Sequence, residues 1–150
     1  VEQWKIYYPK RSDYRFIGNI STKTIQGYRQ LPKNGKLLVI TKSLKDCACL
    51  YGMGIPACAP QSETQFISNT ILEDLRQRFD KIVLLFDSDL TGIHYTNVLR
   101  RKYDFLIPCI IPRRYGAKDI SDFYKKYGRK GTIKFIKESI KYIKEWERHS

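Results

Sequence analysis

Four continuous apolar runs, separated by stretches with helical spacing, are the feature of this sequence that most limits its fold. The runs are residues 36–40, 55–59, 81–86 and 105–111. Apolar runs without alternation are typical of strands that are buried on both faces, as in a parallel sheet. The order of strands and helices predicts an α/β, Rossmann-like fold, in which right-handed crossovers leave a four-stranded parallel sheet flanked by helices.

The helices between and after these runs are marked by caps and by apolar spacing. We expect helices at about 44–53, with Ser43 as the N-cap, and at 67–79, 91–103 and 121–127. A final amphipathic helix follows them. It carries one apolar stripe, formed by Ile133, Ile136, Ile140, Ile143 and Trp146.

Residues 1–34 have a less regular pattern. Two short strand candidates, at 4–8 and 14–17, predict a small antiparallel β element or the tail of a preceding domain. We therefore expect three parts in the chain. They are an N-terminal extension (1–34), a main α/β domain (35–128) and a C-terminal amphipathic helix (129–150).

The charge of the chain favours a polyanionic ligand. Lys and Arg total 28 against 15 Asp and Glu, a formal net charge of +13. Neutralising phosphates releases counterions, so nucleic acid is the first candidate partner and an anionic membrane surface the second. A basic composition without a specific ligand is the remaining alternative. No apolar run approaches the roughly 18 residues that a membrane-spanning helix needs, and the first residues lack the apolar segment of a signal peptide.

The cysteines do not indicate a metal site. Cys47, Cys49, Cys58 and Cys109 form no C-x-x-C pair, and the two histidines lack the spacing of zinc ligands. Cys58 and Cys109 lie in apolar runs, where a thiol behaves as a small hydrophobic group. We expect these two to be reduced and buried, in a cytosolic setting.

Two carboxylates follow the third apolar run, and parallel sheets bind ligands beyond the carboxyl ends of their strands. Asp87 and Asp89 are two residues apart, so on an extended chain they point the same way. Two like charges at one spot favour a cation, and Mg²⁺ takes one or two carboxylates together with phosphates and water. Gly92 would let the chain turn tightly into the next helix. A solvated turn in which Asp89 caps that helix, or a phosphoacceptor of the receiver or phosphohydrolase type, explains the same residues.

Two lysines follow the first apolar run. Lys42 and Lys45 lie near the N-terminus of the helix expected from residue 44, where anions bind well, and this indicates a phosphate site. A solvated surface explains them equally, with Ser43 as a plain N-cap and with Asp46 in the first helical turn, where a carboxylate favours the helix dipole.

The segment after the fourth run is basic and contains an aromatic residue. Arg113, Arg114 and Lys118 are close enough in sequence to bind phosphates together, and Tyr115 could stack on a base. Asp119 either joins the acidic site or caps the short helix that follows.

Taken together, these segments resemble the Toprim family, which bacterial and phage primases, topoisomerases and some nucleases share. The family pattern is a strand ending in E-G-x-x-D, a later strand ending in D-x-D-x-x-G and then an acidic turn. The counterparts, in the same order within residues 36–127, are 42–46 (K-S-L-K-D), 87–92 (D-S-D-L-T-G) and 118–123 (K-D-I-S-D-F). With A-P-Q-S-E at 59–63, the chain is most similar to Toprim domains of phage-type DNA primases.

The resemblance implies a DNA primase, in which metal-dependent nucleotidyl transfer makes RNA primers for DNA replication. It implies Mg²⁺ (or Mn²⁺) on Asp87, Asp89 and Asp119, with Asp46 supporting the acidic cluster. Single-stranded DNA template and nucleoside triphosphates are the implied ligands, a helicase or other replisome protein a further partner, and the cytoplasm of a bacterial or phage-infected cell the location. A zinc-binding region usually precedes such a domain and a helicase region can follow; neither is recognisable here, which suggests a fragment.

Two neighbouring positions depart from the family pattern, because Lys42 stands where the family has a glutamate and Ser43 where it has a glycine. A lysine neither takes a proton from a hydroxyl as a carboxylate does nor binds magnesium. Three outcomes are open. Catalysis is lost and the domain only binds nucleic acid, or Lys42 holds the triphosphate while metal ions supply most of the catalysis. In the third outcome, which we favour, Glu63 supplies the missing carboxylate. The catalytic candidates are Glu63, Lys42 and Asp46. A nuclease with the same ions is a further alternative, so whether the chain is an enzyme stays open.

Overall fold

Two β-sheets organise the structure, a computed structural model that describes residues 2–21, 23–61 and 67–149, apart from the side chains of residues 146 and 147. The N-terminal sheet is an antiparallel pair, β1 (Lys5–Tyr7) and β2 (Phe16–Gly18). The second sheet is parallel. Its strands are β3 (Leu38–Ile40), β4 (Ala57–Cys58), β5 (Ile82–Leu84) and β6 (Leu106–Pro108).

Helices alternate with the strands of the parallel sheet. They are α1 (Leu44–Gly52), α2 (Asn69–Arg78), α3 (Leu90–Lys102) and α4 (Ile120–His149). The side chains of Ser43, Ser68 and Asp89 each accept the backbone N–H three residues later, which determines where α1, α2 and α3 begin. Within the described residues, none of the helices is both long enough and apolar enough to cross a membrane.

The parallel sheet separates two layers of the hydrophobic core. Its strand order is β4-β3-β5-β6. Successive side chains of a strand point to opposite faces, so Val39 and Val83 pack with residues of α1 and α4, whereas Leu38, Ile40 and Leu84 pack with residues of α2 and α3. The predicted fold class is therefore confirmed: a four-stranded parallel sheet flanked by helices, with a small N-terminal β element.

The short helix and the final helix that the sequence predicts run on as one element, α4, with a break inside it. At Gly128 the backbone has φ 69° and ψ −177°, which is not helical. Glycine adopts this positive φ without the steric penalty that a side chain would bring. Beyond the break the expected apolar stripe packs inward: Ile136 and Ile140 are buried in the core. Trp146, which we predicted on the same stripe, lies outside the described side chains.

Helix α4 also contacts the C-terminal end of α1. The Arg129 guanidinium, directly after the break at Gly128, donates to the carbonyl oxygens of Gly52 at 2.9 Å and Met53 at 3.4 Å. The last carbonyl groups of a helix have no partner within the helix, so an arginine at this place satisfies them. The contact joins α1 and α4 on one face of the sheet.

The N-terminal β pair is joined to the main domain by polar contacts. Lys5 Nζ donates to the side-chain oxygen of Gln61 at 3.2 Å. The segment after β2 forms an isolated antiparallel bridge, in which the backbone of Gln26 and Ala59 exchanges hydrogen bonds of 2.7 Å and 3.0 Å. These contacts hold residues 23–30 and the β pair beside the carboxyl end of β4.

The cysteines are part of the packing. All four are free, and Cys47, Cys58 and Cys109 are buried. Burial raises the pKa of the Cys109 thiol to about 11 and that of Cys47 to about 12, so these thiols stay protonated at neutral pH. The prediction that Cys58 and Cys109 pack as small apolar residues is confirmed.

Candidate functional site

The turn from β5 into α3 fixes the two carboxylates that the sequence singles out. Asp89 Oδ1 accepts the backbone N–H of Gly92 at 2.9 Å, so Asp89 is the N-cap of α3, and this bond lowers the pKa of its carboxyl group. A Cβ on Gly92 would lie 2.1 Å from the carbonyl oxygen of Asp87, so the helix can begin this close to the strand only with glycine there. The Asp87 side chain is 1% exposed and that of Asp89 43%.

Two lysines meet the buried carboxylate of Asp87. Its Oδ2 accepts a hydrogen bond from Lys42 and lies 3.3 Å from Lys118 Nζ, which is also 3.5 Å from Asp89 Oδ2. The hydrogen bond to Asp87 raises the pKa of Lys118. The other oxygen, Asp87 Oδ1, is buried without a hydrogen-bond partner in the part of the chain that the structure describes. Such an atom marks a place where a water molecule or a cation is stabilised.

Strand order explains why these residues meet. β3 and β5 are neighbours in the sheet, so Lys42 and Asp87 follow adjacent strand ends. The loop that carries Lys118 is held to the same place by Ser88, whose backbone N–H and hydroxyl donate to the Lys118 carbonyl at 3.0 Å and 3.2 Å. The arrangement lies at the carboxyl end of the sheet, where parallel sheets bind ligands.

Asp46 lies in a separate polar contact between α1 and α4. Its two oxygens accept hydrogen bonds from the hydroxyl groups of Ser43, at 2.7 Å, and Ser121, at 2.5 Å. Burial raises the pKa of Asp46, and the two hydroxyl donors oppose this rise without cancelling it. Because its two oxygens accept hydrogen bonds from neighbouring hydroxyls, Asp46 joins the two helices, and its predicted part in catalysis stays a prediction.

Lys45 and Asp119 form the pair next to Asp46. Lys45 Nζ donates to Asp119 Oδ2 at 2.9 Å, and Asp119 Oδ1 accepts the backbone N–H of Asp122 at 2.8 Å, so Asp119 caps α4. Burial acts to raise the pKa of Asp119, but the hydrogen bonds from Asp122 and Lys45 outweigh it and the pKa is lowered. Both oxygens of Asp119 are thus occupied within the protein.

The remaining predicted site residues are placed differently. Arg113 and Arg114 lie on an exposed 3-10 turn. Within the described ranges they belong neither to the network around Asp87 nor to the network around Asp46 and Asp119. The Tyr115 ring packs edge-on against the rings of Phe123, Tyr127 and Phe135, with centroids 5.2, 5.6 and 5.8 Å away, and its stacking on a base stays a prediction. Glu63 lies outside the described residues.

A large open groove runs from these networks to the N-terminal β pair. Its volume is about 1290 Å³. Lys42, Lys45 and Asp119 line one end of it, and exposed aromatic and basic side chains line the other. The aromatic residues Trp4, Tyr7 and Phe16 are 47–54% exposed, and Tyr7 and Phe16 stack with centroids 5.0 Å apart. The basic residues of the groove beyond its lysine end are Lys5, Arg15, Lys23 and Arg29.

The sequence prediction missed these groove residues, since residues 1–34 were assigned to an extension. The available signal was local: aromatic and basic residues are interleaved at both strand candidates, in W-K-I-Y-Y-P-K-R at 4–11 and in Y-R-F at 14–16. That mixture is typical of surfaces that bind single-stranded nucleic acid.

No protein-family model matches the sequence, and no curated protein matches it. Solved structures do match. The DnaG catalytic core aligns with a TM-score of 0.71 at 13% identity, over 92% of this chain and 48% of that chain. The fold of this chain is thus similar to that of part of a primase catalytic core. The zinc-binding and RNA polymerase domains of the Aquifex aeolicus primase align with 0.69 at 14% identity, over 91% of this chain and 36% of that chain. The primase fragment of the bacteriophage T7 primase-helicase aligns with 0.61 at 16% identity, over 86% and 53%.

The chain thus spans 36% to 53% of the length of these three structures. At 13–16% identity the similarity concerns the fold. In this primase-like fold, the two networks described above lie at the carboxyl end of the parallel sheet.

The donors at this place fit one kind of metal site. Within the described residues, no group of three His, Cys, Asp or Glu side chains could hold an ion by itself. Asp87 can offer its unpaired Oδ1, and Asp89, whose side chain is half-exposed, can offer Oδ2. Mg²⁺ commonly takes one or two carboxylates and completes its shell with substrate phosphates and water. The two aspartates therefore suit an ion that is shared with a phosphate ligand.

Proposed function

We propose that this chain is the Toprim domain of a DNA primase, which makes RNA primers by metal-dependent nucleotidyl transfer. One observation carries the proposal: in a primase-like fold, a groove lined by aromatic and basic side chains leads to acidic residues at the carboxyl end of the sheet. In this proposal residues 35–128 form the Toprim domain. Residues 1–34 add one wall of the groove, and residues 129–150 form the C-terminal helix that supports it.

The groove is the proposed binding site for a single-stranded DNA template. Bases stack on aromatic faces without regard to sequence, and basic side chains bind the phosphates between them. Trp4, Tyr7 and Phe16 supply exposed aromatic faces. The formal charge of +13 favours the same partner through counterion release.

Lysines and the start of α1 form the proposed site for a nucleoside triphosphate. Lys42 and Lys45 line the groove beside the N-terminus of α1, where backbone N–H groups favour an anion. Lys118 extends from the opposite loop and is 57% exposed. Arg113 and Arg114, on the neighbouring exposed turn, are the proposed contacts for phosphates further along the strand.

In the proposed reaction the 3′-hydroxyl oxygen of the primer attacks the α-phosphorus. The bond from the α-phosphorus to its bridging oxygen breaks, and pyrophosphate leaves. Mg²⁺ or Mn²⁺ on Asp87 and Asp89 would neutralise the phosphate charge when bound. Lys42 and Lys45 hold the triphosphate, and Glu63 is the proposed acceptor of the hydroxyl proton. Asp119 orients Lys45, since both of its oxygens are already engaged.

A second candidate function is a nucleic-acid-binding module without catalysis. The observation that favours it is the ion pair of Lys42 with Asp87, which supplies positive charge where a metal ion would otherwise be needed. Such a module would bind single-stranded DNA in the groove equally well with and without a divalent cation. A helicase or another replisome protein is a proposed partner in both cases, in the cytoplasm of a bacterial or phage-infected cell.

Primer synthesis by a protein that contains this chain tests the proposal. Asp87→Asn/Asp89→Asn should lower primer synthesis by on the order of a hundredfold or more, because charge stabilisation at the phosphate is lost. The matched control is Asp80→Asn, which changes an exposed acid before the same strand, at the opposite end of the sheet. Full primer synthesis in the double variant would refute the assignment. Single-stranded DNA binding without any primer synthesis in the unaltered protein would favour the binding module.

A further inference from the structure

The two oxygens of Asp87 have different surroundings. Oδ2 meets the ammonium groups of Lys42 and Lys118, whereas Oδ1 meets no donor among the described residues. The side chain is 1% exposed. Burying a carboxylate is costly unless opposite charge or hydrogen bonds accompany it. The ammonium groups therefore offset the cost of burying Asp87.

Lys42 is placed between two kinds of partner. It follows β3, whose neighbour β5 leads into Asp87, so the two side chains extend from adjacent strand ends. Lys42 also lines the groove, and its side chain is 30% exposed, compared with 57% for Lys118. Its ammonium group can therefore pair with Asp87 on one side or with an anion in the groove on the other.

We infer that Lys42 is the resident counter-ion of Asp87, and that a divalent cation binds Asp87 and Asp89 only when the Lys42 ammonium leaves Asp87 Oδ2. The inference rests on the proposed function and concerns the control of the same site. Asp87 Oδ2 already meets Lys42 and Lys118, so a divalent cation would be a third cation at a buried carboxylate, where the surroundings screen the repulsion poorly. The phosphates of a nucleotide offer the departing ammonium a new partner in the groove, so nucleotide and metal ion strengthen each other's binding.

Titration with Mn²⁺, followed by electron paramagnetic resonance of the free ion, measures the competition. Lys42→Gln should bind Mn²⁺ about tenfold more tightly than the unaltered protein, a change equivalent to about 1.4 kcal/mol. Lys36→Gln is the matched control, since Lys36 is an exposed lysine just before β3, at the opposite end of the sheet, and the Mn²⁺ affinity of this variant should stay within about twofold. Without metal, Lys42→Gln should melt at a lower temperature, and Mn²⁺ should restore the loss by binding the folded state.

The outcomes separate this inference from the proposed function. Equal Mn²⁺ affinity in Lys42→Gln and in the unaltered protein overturns the inference; if that binding is still lost in Asp87→Asn, the metal site itself stands. Absence of Mn²⁺ binding in every variant overturns the inference and the metal site together.

A measurement on the unaltered protein keeps the test valid if Lys42→Gln does not fold. In protein labelled with ¹⁵N-lysine, saturating Mg²⁺ should shift the Nζ resonance of Lys42 and leave that of Lys45 in place. A Lys42 resonance that does not change at saturating Mg²⁺ overturns the inference.

Discussion

Replacing Gly92 with alanine should destabilise the fold at the acidic turn. The new Cβ would lie 2.1 Å from the carbonyl oxygen of Asp87 and 2.9 Å from its carbonyl carbon, whereas ordinary contact begins at 3.4 Å. Both neighbours are backbone atoms, which cannot rotate away as a side chain could. The first turn of α3 must therefore move from the strand end by about 1 Å, and it takes the cap at Asp89 with it.

The expected magnitude follows from two opposing effects. Forcing an extra carbon into a packed site costs about 1–3 kcal/mol, and here the contact is with rigid backbone, so the upper part of this range applies. Alanine is the better helix former, which offsets up to about 1 kcal/mol. The free energy of unfolding should fall by about 2 kcal/mol, which lowers the melting temperature by about 4–8 °C in a chain of this size.

Urea unfolding followed by circular dichroism measures this change, with Gly52→Ala as the matched control. Gly52 is the last residue of α1, and a Cβ there would meet nothing within 4 Å. The same substitution at Gly52 should therefore raise the free energy of unfolding by up to about 1 kcal/mol. A Gly92→Ala protein as stable as the unaltered one, or more stable, would refute the close approach of α3 to Asp87.

Two further predictions concern the groove and the buried acids. Trp4→Ala/Phe16→Ala should weaken binding of single-stranded DNA tenfold or more, since each stacked base contributes about 1–3 kcal/mol. Tyr142→Ala, which removes an exposed ring of α4, should leave the affinity unchanged. Fluorescence anisotropy measures both affinities, and an equal loss in the two variants would contradict DNA binding in the groove. Burial raises the pKa of the Asp46 carboxyl group above 3.8. The contribution of Asp46 to the free energy of unfolding is therefore complete below pH 3.8 and is lost as the pH rises through the raised pKa. For Asp119, burial is outweighed by hydrogen bonds and the pKa falls below 3.8, so its stabilising effect is present above that value and lost as the pH falls through the lowered pKa. As the pH rises from about 3 to about 7, Asp46→Asn should gain stability relative to the unaltered protein, and Asp119→Asn should lose it. Urea unfolding at several pH values measures both changes. A change in the same direction for both variants would contradict the opposite pKa shifts of the two acids.

Local patterns in the sequence were enough to predict the layers of the fold. The run at 81–86 is apolar at every residue but its first, and that alone marks a strand buried on both faces. Ser43 caps α1 through a bond that spans three residues, so this helix start also depends only on neighbouring residues. Strand ends were less predictable. Leu85 and Phe86 are buried although they lie beyond the residues of β5 that pair with β3, so the apolar run continues past the end of the strand.

The contacts of the site depend on strand order, which local patterns do not contain. Lys42 and Asp87 are 45 residues apart and meet because β3 and β5 are neighbours. The ring contacts of Tyr115 were missed for the same reason, since Phe135, twenty residues later, reaches Tyr115 only after α4 has folded back. The interleaved aromatic and basic residues around Trp4 and Phe16 were a local signal for nucleic-acid binding, but nothing near them indicates that the β pair lies across from Lys42.

Helix α1 is fastened to α4 at both of its ends. Near its start, Asp46 is bound by Ser121, and at its other end Arg129 holds the last carbonyl groups of α1. A rod held at two points cannot tilt about either one. The lysines at the start of α1 can then adjust to a bound ligand only by rotating their side chains, while the backbone beneath them keeps its position. Recognition at this end of the groove is therefore a movement of a few flexible methylene chains on a stiff frame, and no hinge is required.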